Sequence, residues 1–298
     1  MAILQVDNLH KNYGSIQALK GVTFSVPQGA VFGILGPNGS GKTTLLGIIM
    51  DILRASSGSF KLFDEEPAPH HRKQIGTLLE TPNFYHYLSG EKNLRIAASI
   101  KGKGEEDIPR VLDLVDLTKR KNSKFSTYSL GMKQRLAVAS TLLGNPQVLI
   151  FDEPTNGLDP VGIAETRELI KKLNREGKTI IMASHLLDEV EKVCTHAAIL
   201  QKGVLLTHGH VDEILINEDI VELGSENLEQ LRAAMVNYPG SIAIKEHGIY
   251  AEVVFHSGHA SLTTINEYCF SKGIVLNHLR LRRKSLETKF FELTSNSN

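Results

Sequence analysis

The stretch Gly36 to Thr44 reads GPNGSGKTT and follows the apolar run AVFGIL, Ala30 to Leu35. It fits the pattern G-x-x-x-x-G-K-[ST], with Gly36, Gly41, Lys42 and Thr43 in the specified places. Glycines let main-chain N–H groups turn inward around an anion, where side chains would block the approach. Apolar residues at helical spacing over Thr44 to Leu53 then aim a helix N-terminus at the same anion. The pattern therefore gathers Gly36, Pro37, Asn38, Gly39, Ser40, Gly41, Lys42, Thr43 and Thr44 around the phosphates of a nucleotide. Lys42 would reach the β and γ phosphates, and the Thr43 hydroxyl would ligate Mg²⁺. The loop implies a nucleotide and leaves the reaction open.

A second stretch, Val148 to Pro160, reads VLIFDEPTNGLDP. Four apolar residues followed by two acids describe a buried parallel strand that ends at Asp152 and Glu153. Ligands of doubly wound sheets bind at the carboxyl ends of such strands. Two buried, unpaired carboxylates would be destabilising, so a cation or a proton-transfer role explains them better than a helix cap. Beside a phosphate loop, Asp152 would hold Mg²⁺ and Glu153 would orient or deprotonate an attacking water. A further buried strand, Thr179 to Ala183, ends in Ser184-His185 and brings His185 to the same sheet edge. A histidine there can donate to a γ-phosphate oxygen, although a strand-end histidine alone is more often structural.

The rest of the pattern is organised around these strands. Alternation at Ala2 to Val6 and Leu19 to Val26 predicts two antiparallel strands, with Tyr13-Gly14 in the turn region between them. Tyr13 either stacks on a purine base or packs as a strand-end ring, and spacing does not decide between them. Strands are predicted at Gly58 to Phe63 and at Gln74 to Leu79, the latter leading to Glu80 and a surface of Phe84, Tyr85 and Tyr87. His70-His71 between them reads as a solvated pair. From Gly90 to about Gly144 the period becomes helical, over Glu91 to Ile100 and Asp107 to Leu117, with Asp107 placed to cap. Ser129, in STYSLGMKQR, can cap the helix after it and leave that helix's N–H groups and Gly131 facing an anion.

Composition bounds the alternatives. Lys plus Arg and Asp plus Glu both number 33, so no net field favours nucleic acid or an anionic membrane. The 2 cysteines, Cys194 and Cys269, lack metal-ligand spacing and read as reduced core thiols of a cytosolic protein. No run approaches the roughly 18 apolar residues of a membrane span, so a membrane link would come through a partner.

The order of these motifs resembles the nucleotide-binding subunit of an ABC transporter over about residues 1 to 213. Walker A is GPNGSGKTT, the signature is YSLGMKQR (128 to 135), Walker B is VLIFDE (148 to 153), the D-loop is GLD (157 to 159) and the switch histidine is His185. The resemblance implies an α/β fold of the P-loop NTPase class: a RecA-like core, an antiparallel β subdomain and a helical subdomain at about 85 to 144. It implies binding and hydrolysis of ATP with Mg²⁺, and makes Tyr13 the adenine-stacking ring. Lys42, Glu153 and His185 would be catalytic, Ser129, Gly131 and Asp159 would join the nucleotide site, and Thr43, Asp152 and Glu80 would hold the metal. An acid at Glu80, where glutamine is usual, resembles the ATPases of bacitracin and lantibiotic self-protection exporters.

With one Walker A, one signature and no internal repeat, the chain would need a second copy or a paralogous subunit to complete each site. The resemblance further implies a separate integral membrane permease, contacted around Glu80 to Asn93, and a place on the cytoplasmic face of the membrane. An exporter of a peptide, antibiotic or other hydrophobic compound is one expectation, and a soluble ABC-type ATPase without a permease is the alternative. A guanine-reading N-K-x-D is missing, and Lys42 and Asp152 are too close in sequence for an intervening coiled coil. Residues 214 to 298 carry no nucleotide motif, and their βαββαβ pattern predicts a small ferredoxin-like α+β domain with a terminal helix. The run Arg280 to Lys284 reads as a solvated basic strand end, with contact to anionic lipid as the second option.

Overall fold

A computed structural model describes residues 1–79, 83–215, 219–256, 258–283 and 286–295. Two compact units are formed, Met1–Gly209 and His210–Asn298. The first runs β1 (Ala2–Tyr13), β2 (Ile16–Pro27), β3 (Val31–Leu35), α1 (Lys42–Ile49), β4 (Ser57–Leu62), α2 (Pro69–Arg72) and β5 (Ile75–Leu78). It continues with α3 (Gly90–Lys101), α4 (Ile108–Leu114), α5 (Leu130–Thr141), β6 (Val148–Asp152), α6 (Pro160–Arg175), β7 (Thr179–Ser184), α7 (Leu187–Glu191), β8 (His196–Gln201) and β9 (Val204–His210).

β3, β6 and β7 are buried at every position, which is why they read as continuous apolar runs rather than alternations. They lie in a sheet of order β5-β6-β7-β3-β8-β9, in which β5 through β8 pair in parallel. A separate sheet, β2-β1-β4, is antiparallel. Its strands are longer than alternation predicts because register shifts between Val6 and Leu9 and between Leu9 and His10 reset which face is buried. Asn8, at φ +46°, sits in that irregular stretch.

α3, α4 and α5 form the helical insertion, closed by Leu94, Val111, Leu112 and Leu136, all at most 1% exposed. Burying each such side chain contributes about 1.5–3 kcal/mol. Asp107 does not cap α4: its Oδ1 accepts from Arg110 and its Oδ2 from the Gly144 N–H at 2.8 Å, tying the insertion to the end of α5. His71 is not solvated either, being 3% exposed. Its Nδ1 accepts from the Ala68 N–H at 3.2 Å, so Nε2 carries the proton and donates to Glu65 Oε2 at 3.0 Å. Glu65, His70 and His71 converge within 4.8 Å, but that tautomer makes the trio a hydrogen-bonded set with no free His71 lone pair for a metal.

The second unit comprises α8 (Val211–Leu215), β10 (Asp219–Ser225), α9 (Leu228–Val236), β11 (Ser241–His247), β12 (Tyr250–Phe255), α10 (Leu262–Ser271), β13 (Leu276–Arg283) and α11 (Leu286–Ser295). Its antiparallel sheet has the order β11-β12-β10-β13, the split βαβ arrangement of ferredoxin-like units. Val221, Leu223, Leu231, Val253, Phe255 and Ile265 lie in its own apolar core. Arg282 is not simply solvated, since it donates to Glu252 at 2.8 Å and lies 3.4 Å from Glu222. Lys284 is outside the described residues. No described helix is long and apolar enough to cross a membrane.

Candidate functional site

Sheet order assembles the site. β7 lies between β3 and β6, with Leu35 opposite Ser184 and Asp152 opposite Ala183. The carboxyl ends of these strands therefore deliver the Gly36–Thr44 loop, the Asp152-Glu153 pair and His185 to one edge. The Glu153 N–H donates to Ala183 O at 3.0 Å. Glu153 has φ +49°, a left-handed conformation that turns the chain sharply after the strand. Its carboxylate lies between two groups: His185 Nδ1 is 2.8 Å from Oε2 and Lys42 Nζ is 3.4 Å from Oε1. Lys42 is only 5% exposed and also donates to the carbonyls of Gly36 at 2.8 Å and Pro37 at 3.3 Å. The geometry thus joins Lys42, Glu153 and His185 into one polar group, an ion pair on one side of Glu153 and a hydrogen bond on the other.

The loop is shaped as a cradle. A Cβ at Gly36, φ +154°, would stand 2.2 Å from Leu200 O, and one at Gly41, φ +108°, would stand 2.7 Å from Ala18 O. α1 starts at Lys42 without any side-chain cap, so the N–H groups of its first turn are left for another acceptor. Ser40 Oγ is buried and has no hydrogen-bond partner among the described residues. Unused N–H donors and a buried hydroxyl around a glycine cradle suit phosphate oxygens. Thr43 is exposed on the same turn and Asp152 is buried at the end of β6, a hydroxyl and carboxylate pair of the hard oxygen type that Mg²⁺ takes. Glu80 lies outside the described residues.

Tyr13 ends β1, is 44% exposed and carries Lys11 Nζ 4.8 Å from its ring centre. Its neighbours Asn12 and Gly14 line a cleft of about 540 Å³ together with Gln17, Lys20, Gly39 and Lys202. Sequence reasoning missed Gln17, Lys20 and Lys202. The turn between β8 and β9 braces the loop through Gly203 N–H to Ser40 O at 3.0 Å, and Lys20 N–H donates to Gly203 O at 2.8 Å. A lysine-glycine turn so far along the chain gives no sequence signal that it meets residue 40.

At α5, Ser129 Oγ accepts from the Met132 N–H at 3.3 Å, the cap expected of it. Gly131 faces open space and Leu130 is 53% exposed. Tyr128 is buried and donates its hydroxyl to Arg120 O at 2.8 Å, and burial raises its pKa above the usual 10.0. Asp159 Oδ1 accepts from the Gly162 N–H at 2.8 Å, so this carboxylate caps α6. Of the aromatic surface, Tyr85 and Tyr87 are exposed, whereas Phe84 packs edge-on against Phe125 at 5.2 Å.

A glycine cradle at a helix start, next to a lysine-carboxylate-histidine group at the ends of parallel strands, defines a nucleoside triphosphatase of the phosphate-loop class. The ABC transporter family model matches residues 19–156. An uncharacterized ABC transporter ATP-binding protein of Bacillus subtilis (strain 168) is 37% identical, over 98% of this chain and 96% of its own length. The bacitracin transport ATP-binding protein of Bacillus licheniformis is 34% identical, over 98% and 97%. A lantibiotic transport ATP-binding protein of Streptococcus pyogenes is 37% identical, over 77% of this chain and 95% of its own. Among solved structures, the dimeric post-hydrolysis ATP-binding cassette MJ0796, bound to ADP and Pi, superposes with TM-score 0.62 at 25% identity, over 70% of this chain and 98% of that one. The chain belongs to the ABC transporter ATP-binding proteins, a family of ATP hydrolases.

Proposed function

We propose that this ATPase drives export of a peptide antibiotic or a similar amphiphilic compound through a separate membrane permease, and that two copies, or one copy and a paralogue, close around two ATP molecules. The observation that carries the catalytic part is the Glu153 carboxylate held by both Lys42 and His185. Tyr13, beside the 540 Å³ cleft that its neighbours Asn12 and Gly14 line, stacks on adenine, and the loop from Gly36 to Thr44 wraps the phosphates. Lys42 moves onto the β and γ phosphates, which leaves Glu153 as acceptor for a proton of the attacking water. His185, anchored through Nδ1 to Glu153, donates from Nε2 to the γ-phosphate when both ring nitrogens carry protons. Thr43 and Asp152, joined by Glu80, would hold Mg²⁺, which would neutralise charge developing on the phosphates. Ser129 and Gly131 present the open face of one copy to the γ-phosphate bound by the other, with Asp159 beside them. The exposed Tyr85 and Tyr87 mark the surface offered to the permease.

The names of the bacitracin and lantibiotic relatives support the cargo class, and the dimeric MJ0796 cassette supports the pairing. Glu153→Gln tests the reading. ATP affinity should stay within about threefold of wild type while turnover falls at least 100-fold, and the chain should elute as a dimer in ATP. Wild-type turnover would remove Glu153 from the base role, and an unchanged monomer would remove the paired site. Co-purification with a polytopic membrane subunit checks the permease.

A further inference from the structure

Two charged residues on α6, Glu165 and Arg167, reach different neighbours. Side chains two positions apart on a helix point about 200° away from each other. Arg167 Nη1 is 3.3 Å from Glu189 Oε2 on α7, the helix that begins just after His185. Glu165 Oε2 is 3.9 Å from Nη1 of Arg135 on α5, the helix that Ser129 caps. The same Arg135 nitrogen is 3.8 Å from Asp116 Oδ2, just after α4 in the helical insertion, and donates to Val115 O at 3.4 Å. Its Nε is buried with no hydrogen-bond partner among the described residues, and the guanidinium borders a cleft of about 330 Å³ shared with Asp116, Glu165 and Leu169. Leu130 also lies beside Gly157, where an added Cβ would stand 3.3 Å from Leu130 Cδ2.

We propose that α6 is a crossbar between the signature helix and the switch helix, with Arg135 and Arg167 as its positioning residues. Asp159 caps this crossbar, so Ser129, Asp159 and His185 are held in one frame. The two ends differ. Arg167 favours one carboxylate, Glu189 at 3.3 Å over Glu168 at 3.9 Å, and Glu189 also takes Lys192 at 3.3 Å, whereas Arg135 stands between two carboxylates at nearly equal distance with a donor to spare. A small rotation of the helical insertion lets the guanidinium exchange Asp116 for a two-pronged bond to Glu165, closing the cleft. The Arg135 joint is thus built to adjust as the insertion turns. The proposal rests on the paired-site reading above.

The test uses the full-length chain. Arg135→Glu and Glu165→Arg, each alone, should lower kcat about tenfold with KM for ATP changed by less than about twofold, because the phosphate loop is untouched. In the Glu153→Gln background each should also weaken ATP-driven dimerisation. Asp116 is 95% exposed and free to swing away, so the double charge swap should recover at least half of the lost kcat. Should charge reversal prevent folding, Arg135→Lys and Glu165→Gln give the same comparison, with unequal loss of kcat and KM as the expected result. Unchanged kcat in the single variants overturns the crossbar, as does a double swap no better than the worse single. A Glu153→Gln chain that stays monomeric in ATP overturns the paired site and the crossbar with it. A Glu153→Gln dimer unaffected by the reversals overturns the crossbar alone.

Discussion

Glycine geometry separates positions that motif matching treats alike. Gly36 and Gly39 both have positive φ in the same loop, +154° and +79°, yet a Cβ at Gly36 meets Leu200 O at 2.2 Å while one at Gly39 meets nothing within 4 Å. Gly39→Ala should therefore lose only the backbone strain of about 1–2 kcal/mol and keep ATP binding within roughly tenfold. Gly36→Ala must displace the end of β8 as well, so it should unfold at lower urea and lose ATP affinity by more than 100-fold, read by nucleotide titration and urea melts. Lys42, Glu153 and His185 are legible in the sequence because each follows a recognisable strand or loop pattern. Arg135 Nε, Lys202 and the His71–Glu65 pair are not, because their roles depend on partners brought in by tertiary packing.

Elements are readable where both strand faces are buried or where one helix face is. β1 and β2 outrun their alternation because irregular register breaks the two-residue period, and Asp107 departs from its expected role because Gly144 outcompetes the local cap. Junctions between elements hold the titratable groups that respond to alkaline pH. Lys178, next to the start of β7, donates to Asn145 Oδ1 and Pro146 O at 2.8 Å each, in the turn before β6. Burial lowers its pKa below the ordinary 10.5. In the window just under 10.5 the unfolded chain then holds the extra proton, so this residue makes stability rise with pH. Cys194 has the opposite sign, since burial pushes its thiol above the ordinary 9.0 and the unfolded chain loses that proton first. Urea melts at pH 8, 9 and 10 should show Lys178→Met gaining less stability with pH than wild type, the remaining gain coming from Lys101, whose pKa burial lowers to about 8. The decline above pH 9 should be weaker in Cys194→Ala.

At the scale of the whole molecule, the unit that carries the phosphate loop and the unit that begins at His210 are each compact. The parallel sheet and its apolar core are built within Met1–Gly209, and the second unit has a core of its own. The lantibiotic transport relative matches over 95% of its own length but only 77% of this chain, so a shorter chain carries the same family assignment. A chain ending at His210 should therefore fold and bind ATP with an affinity within about threefold of the full chain. Ligand linkage gives the readout: ATP at 100 times its Kd adds about 2.7 kcal/mol to the state that binds it. For a domain of this size that is a rise of roughly 5–10 °C in melting temperature. The same rise should be seen in the truncated chain, and in the full chain it should fall on the transition that Lys42→Ala no longer shifts. A truncated chain that unfolds without nucleotide response would show that residues beyond His210 complete the ATP-binding unit, despite the self-contained core within Met1–Gly209.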